Sequence, residues 1–200
     1  MHQRFICLAS FLFFTLMFFS IWGQDAQVEK VYTHLDEALA NPKDVRILRL
    51  KKQKLITIPA EIFSLSELRE LYLDKNQISE IPEAIKQLNK LEKLSLQHNA
   101  IESFPESVIL VSSLQFLDLA DNMIDSIPDE ISQLKNLNTL SLWDNPIAYY
   151  TAELSHLPQL KILDLLHNMM SSETQNRLYT DLPKCKLIVS PPCSCMDGGE

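Results

Sequence analysis

Three consecutive stretches of this chain are copies of one 23-residue tile: LRELYLDKNQISEIPEAIKQLNK (68–90), LEKLSLQHNAIESFPESVILVSS (91–113) and LQFLDLADNMIDSIPDEISQLKN (114–136). A looser copy occupies 45–67, and drifting copies follow at 137–159 and from 160 onward. This self-similarity constrains the fold more than composition does. One tile cannot bury its own apolar face, so neighbours must stack and share a continuous core. The expected result is a solenoid of about six coils.

Each tile opens with leucines two residues apart: Leu48 and Leu50, Leu71 and Leu73, Leu94 and Leu96, Leu117 and Leu119, Leu140 and Leu142, Leu163 and Leu165. Period-two spacing predicts a short strand with these side chains inward and the residues between them outward. Stacked strands then form a parallel sheet with a spacing of about 4.8 Å. After each strand stands an asparagine (Asn76, Asn99, Asn122, Asn145, Asn168), with Gln53 at the corresponding position of the first copy. The chain turns there with its backbone buried, and an amide supplies both the donor and the acceptor such a turn needs. These asparagines are read as a structural ladder. The return side carries Ile58-Pro59, Ile81-Pro82, Phe104-Pro105 and Ile127-Pro128, followed by Glu61, Glu83, Glu106, Asp129 and Glu130. Proline at the first position of a short helix needs no N–H, and acids suit its positive end.

The ends differ from the middle. Residues 5–22, FICLASFLFFTLMFFSIW, carry no formal charge and precede Gly23, which reads as a secretory signal peptide over 1–23. Retained instead, a run of about 18 apolar residues would reach the lower limit for a membrane anchor. Val28, Val31, Tyr32, Leu35 and Leu39 fall at helical spacing, so 25–41 is expected to form a helix capping the first coil. The fifth copy replaces Ile-Pro with Tyr150-Thr151, and the sixth loses register at Glu173 and Arg177. Leu178, Leu182 and the run 185–189 read as a terminal helix and strand. Cys185, Cys193 and Cys195 cluster at the C-terminus, and export would permit Cys185 to bridge to one of the other two. Two thiolates without a nearby histidine do not make a zinc site.

The domain reading is a signal peptide (1–23), a helical N-terminal cap (24–44), repeats (45–181), and a C-terminal cap with a cysteine-containing tail (182–200). The tile, written L-x-x-L-x-L-x-x-N-x-I-x-x-I-P-x-x-I-x-x-L-x-x, resembles the leucine-rich repeats of Ras-interacting and plant Ras-group proteins. VYTHLDEALANPKDVRILRL (31–50) is similar to the N-terminal helix and first strand of small exported repeat proteins of Bacteroidetes and leptospires. LPKCKLIVSPPCSC (182–195) resembles the C-terminal ending of the Bacteroidetes group. The resemblance implies an α/β leucine-rich repeat solenoid, with a curved parallel sheet on the concave side and short helices on the convex side. It also implies a bacterial protein-binding scaffold with no catalytic residues and no cofactor.

Composition narrows the partners. A net charge of −8 opposes binding to nucleic acid, whose phosphates demand cations, and to anionic lipid. No glycine lies between Gly23 and Gly198, which removes every glycine-rich phosphate cradle. A membrane enters only through an uncleaved leader. The expectation is an exported monomer in the periplasm, on the cell surface or in the medium.

On the concave face, four outward columns can be read off the register. They run Ile47, Glu70, Lys93, Phe116, Thr139, Ile162; then Arg49, Tyr72, Ser95, Asp118, Ser141, Asp164; then Lys51, Asp74, Gln97, Ala120, Trp143, Leu166; and last Lys52, Lys75, His98, Asp121, Asp144, His167. The candidate site is Arg49, Lys51, Tyr72, Asp74, His98, Phe116, Asp118, Asp121, Trp143, Asp144, Asp164 and His167. Its first coil is basic and its later coils acidic, a polarity that would orient a partner. Tyr72, Phe116 and Trp143 are expected to stand exposed as anchors of the hot-spot type. A protein or peptide ligand is the primary expectation. Aromatics beside Asp on a concave face would also suit a glycan. The column His98, Asp121, Asp144, His167 could be read as a hydrolase-like or cation site, but no nucleophile or metal motif accompanies it.

Overall fold

A computed structural model describes residues 29–191. The expected leader (1–23), the start of the cap, and Cys193 and Cys195 lie outside the described residues. The stacked tiles produce one eight-stranded sheet, parallel throughout, with strands adjacent in chain order. Its strands are β1 (Val31–Tyr32), β2 (Ile47–Arg49), β3 (Glu70–Tyr72), β4 (Lys93–Ser95), β5 (Phe116–Asp118), β6 (Thr139–Ser141), β7 (Ile162–Leu165) and β8 (Lys186–Val189). Among the described residues no helix is long and apolar enough to cross a membrane.

The core follows the tile. Leu48, Leu71, Leu94, Leu117, Leu140 and Leu163 are fully buried, and each pairs in register with the next along the sheet. The second leucines of each strand lie behind them, and Ile78, Ile101, Ile124 and Ile147 close the turn side. On the return side the chain makes short 3-10 turns at Ala60–Ser64, Glu83–Gln87, Asp129–Gln133 and Ala152–His156, and one α-helical turn, α2 (Glu106–Ile109). Pro59, Pro82, Pro105 and Pro128 stand immediately before these turns, one residue earlier than expected. Their fixed φ still aims the chain into the turn.

The asparagine ladder behaves as chemistry demands. Asn76 Oδ1 accepts from the N–H groups of Gln53 (2.8 Å) and Leu55 (3.2 Å), while its amide donates to the carbonyls of Leu50 (2.8 Å) and Leu73 (2.7 Å). Asn99, Asn122, Asn145 and Asn168 repeat this bracing between coils. Gln53, in the first coil, donates instead to the carbonyl of Thr33 (3.1 Å) and so ties the array to its cap.

The N-terminal cap corrects the sequence reading. Val31 and Tyr32 form a strand, paired with Ile47 and Leu48, and the helix α1 is only Leu35–Ala40. The exposed edge of β2 would otherwise leave N–H and C=O groups unpaired, and a strand satisfies them where a helix cannot. Tyr32 is buried by the move, and Ala38 anchors the short helix on the core. At the other end, α3 (Ser172–Asp181) and β8 form the expected helix and strand.

Candidate functional site

The strands place the four outward columns in register, so side chains 23 residues apart are neighbours across the sheet. The basic end turns out to be internally paired. Lys51 Nζ lies 2.5 Å from Asp74, and the Tyr72 ring is flanked by Arg49 and Lys51, each 5.0 Å from its centre. The Tyr72 hydroxyl donates to Glu70 at 2.8 Å, and Glu70 pairs with Lys93 at 2.7 Å. Burial pushes the Glu70 carboxyl up, but the bonds from Lys93 and Tyr72 outweigh it and hold the group below its ordinary value.

Asp74 is only 4% exposed, which corrects its place among the ligand-facing residues. It is buried between Lys51 and the hydroxyl of Ser95. Ser95 has one proton to give and also stands 3.5 Å from Asp118. Asp118 accepts the N–H of Ala120 at 3.0 Å. Burial pushes its carboxyl above the ordinary value, and Asp74 adds to the effect against the hydrogen bonds from Ala120, Ser141 and Ser95.

The far half of the face is more open. Trp143 stacks obliquely on His167, with ring centres 5.7 Å apart at 43°. Asp144 is exposed and has no ionic partner among the described residues, while Asp164 accepts the N–H of Leu166 at 3.0 Å. Phe116, on β5, opens this half. Tyr72, Phe116 and Trp143 are all half-buried, not exposed as expected; Tyr72 lies against Arg49 and Lys51, and Trp143 against His167.

The last column shares an unusual backbone. Lys52, Lys75, His98, Asp121, Asp144 and His167 all have φ between 54 and 59°, as does Lys54 at 57°. The turn into the asparagine needs a left-handed residue, and side-chain-bearing residues other than Asn or Asp enter that region at a cost. Within the column His98 Nδ1 bonds Asp121. Among the described residues no three of His, Cys, Asp or Glu gather closely enough to hold a metal ion. Cys185 is half-buried, and burial pushes its thiol up.

The residues missed from sequence are Glu70, Lys93 and Ser95, which organise the face although they are not among its candidates. Reading each column for opposite charges one coil apart would have found the Glu70–Lys93 and Lys51–Asp74 pairs.

The fold and the ladder define a protein class. The description of a leucine-rich repeat region matches residues 28–193, and the chain belongs to that family. No curated protein sequence matches it. Among solved structures it is similar to a leucine-rich repeat protein of Leptospira interrogans, at 30% identity and a TM-score of 0.66, covering 83% of this chain and 49% of that one. It is similar also to the plant peptide hormone receptor RGFR1 in complex with RGF2, at 29% identity and a TM-score of 0.60, over 73% of this chain and 24% of the receptor. A plant ice-binding protein shares the coil at 26% identity and a TM-score of 0.54, over 62% and 43% of the two chains. The chain thus spans about half the length of the leptospiral protein and a quarter of the receptor.

Proposed function

We propose that this protein is a non-catalytic binding module that holds a protein or peptide segment on its concave face. The observation that carries this reading is the open half of the face. There the Trp143–His167 stack adjoins Asp144, which has no ionic partner among the described residues, and the half-buried Phe116 stands on β5 in the neighbouring coil. Rigid, pre-packed aromatics lose little entropy on binding and concentrate interface energy. The peptide-bound plant receptor supports the reading as a member of the same fold. The acidic half favours a ligand segment with basic side chains, since complementary charge speeds encounter and fixes orientation.

We further propose export, carried by the leader at 1–23. N-terminal sequencing of the mature protein tests it, and an intact Met1 on a membrane-bound protein would replace release by anchoring.

The binding reading is tested by affinity capture from extracts of the producing cell's envelope and surroundings, followed by titration of the captured partner. Phe116→Ala with Trp143→Ala should weaken that titration about a hundredfold or more, two lost anchors of the hot-spot kind. Undiminished affinity in a folded double variant would move the site off this face.

A further inference from the structure

A second concavity lies away from the concave sheet, at the C-terminal shoulder of the solenoid. Ala148, Tyr149, Tyr150, Met169, Glu173 and Arg177 line a cavity of about 360 Å³ there. It exists because the tile breaks. Tyr150 stands where Ile81, Phe104 and Ile127 are buried in earlier coils. Opposite it, the short return turn gives way to the ten residues of α3. A broader helix facing a bulkier side chain leaves a gap that regular coils do not have.

The back wall is fixed. The Tyr150 hydroxyl donates to Asp181 at 2.7 Å, and burial together with that bond pushes its pKa up. Arg177 lies 5.8 Å from the centre of the Tyr150 ring, with its Nε 3.5 Å from Asp181. Ser171 and Thr174 are committed to the N-terminal cap of α3. The front is open: Tyr149 is 75% exposed and Met169 50%. The cavity therefore has a braced polar wall and an apolar ledge, the mixture that ligand sites use.

Charge and shape select the ligand class. Arg177 and Asp181 offset one another, and Glu173, which has no ionic partner among the described residues, leaves this wall negative, which disfavours an anion. The guanidinium N–H groups and the Glu173 carboxylate disfavour a wholly apolar ligand, which would leave them desolvated and unpaired. A neutral sugar ring meets both demands. Its C–H face can lie on Tyr149, and its hydroxyls can accept from Arg177 and donate to Glu173. The volume falls near the lower end of small-ligand sites, roughly 300–1,000 Å³, enough for a sugar unit and part of its neighbour.

We propose that this shoulder pocket is a saccharide-binding site, taking a neutral hexose unit of an oligosaccharide through Tyr149, Arg177 and Glu173. It is separate from the peptide site on the concave face.

The test is calorimetric titration of the purified protein with neutral tetrasaccharides built from glucose, mannose or N-acetylglucosamine, and with a uronic-acid tetrasaccharide as the anionic control. The expected result is binding of at least one neutral sugar. Tyr149→Ala should weaken it about tenfold or more, and Arg177→Gln by less, with circular dichroism unchanged. Phe116→Ala with Trp143→Ala should leave it unaltered. Absence of neutral-sugar binding at millimolar concentration, preference for the uronic acid, or full binding by a folded Tyr149→Ala protein would each overturn the proposal. So would loss of sugar binding in the concave double variant, which would place the saccharide on the sheet.

Discussion

The two halves of the concave face are built from the same coil and have opposite characters. From β2 to β4 the outward side chains answer one another: Lys51 with Asp74, Lys93 with Glu70, Tyr72 between Arg49 and Lys51. From β5 to β7 the large groups are Phe116, Trp143 and His167, and Asp144 has no cationic partner among the described residues. A face that satisfies its own charges has little left to offer a ligand, because binding must first break those pairs. The open half offers area at no such cost. The difference also shows why residue type alone misleads: Tyr72 and Trp143 are both aromatics on outward positions, yet one is part of the scaffold.

The sharpest way to break this comparison is to exchange the two losses. Phe116→Ala with Trp143→Ala should cost partner affinity in addition to the stability that two half-buried rings contribute. Tyr72→Ala should cost stability alone, lowering unfolding free energy by about 2 kcal/mol in urea titration while partner affinity holds, since a half-buried ring and its cation contacts are lost. Equal effects of the two on affinity would erase the distinction between halves. Next in size, Lys51→Ala should destabilise by about 1 kcal/mol, because it strips a buried carboxylate of its ionic partner and leaves only Ser95. A smaller effect of opposite sign is expected at the turn: Lys75→Gly should raise the unfolding free energy by about 0.5–1 kcal/mol, seen as a higher urea midpoint, by relieving φ of 58°.

The smallest effect is electrostatic. The Asp118 pKa is raised in the fold, so its contribution is present below the ordinary aspartate value and is lost as pH rises through the folded value. Asp118→Asn, which keeps the acceptor for Ala120, should therefore be more stable than the parent at pH 7 and should lose that advantage near pH 4. Glu70 acts in the other direction, its lowered pKa removing stability as pH falls through the folded value, below the ordinary 4.5. A stability profile for Asp118→Asn parallel to the parent across pH 4–7 would show that Asp118 is not under this burden.

Much of the fold was legible because the tile encodes it redundantly. The leucine pairs set the strand, the asparagine sets the turn, and Ile-Pro sets the return, so any one position could drift without loss of register. The first cap was not legible in the same way. Val31, Tyr32 and Leu35 satisfy helical spacing, but what makes Val31–Tyr32 a strand is the unpaired edge of β2, which no local pattern announces. The candidate site was half legible. The columns follow from counting, but the burial of Asp74 depends on Lys51 and Ser95 in the flanking coils. Such partners lie 21 and 23 residues away, beyond the reach of residue-by-residue reading. Nor does the fold decide the rest: a peptide receptor and an ice-binding protein share this coil.

The left-handed column has a consequence for how this chain can change. At Lys52, Lys75, His98 and His167, and less so at Asp121 and Asp144, glycine would relax the backbone, yet no glycine stands anywhere in the array. Each of these turns holds a side chain at the rim of the groove where the least strained residue would leave a blank. Stability and surface vocabulary are therefore set against each other at six adjacent positions. An engineer who rewrites this row for a new partner starts with a reserve: every glycine placed at a rim position the new partner does not touch helps stabilise the coil that carries the others.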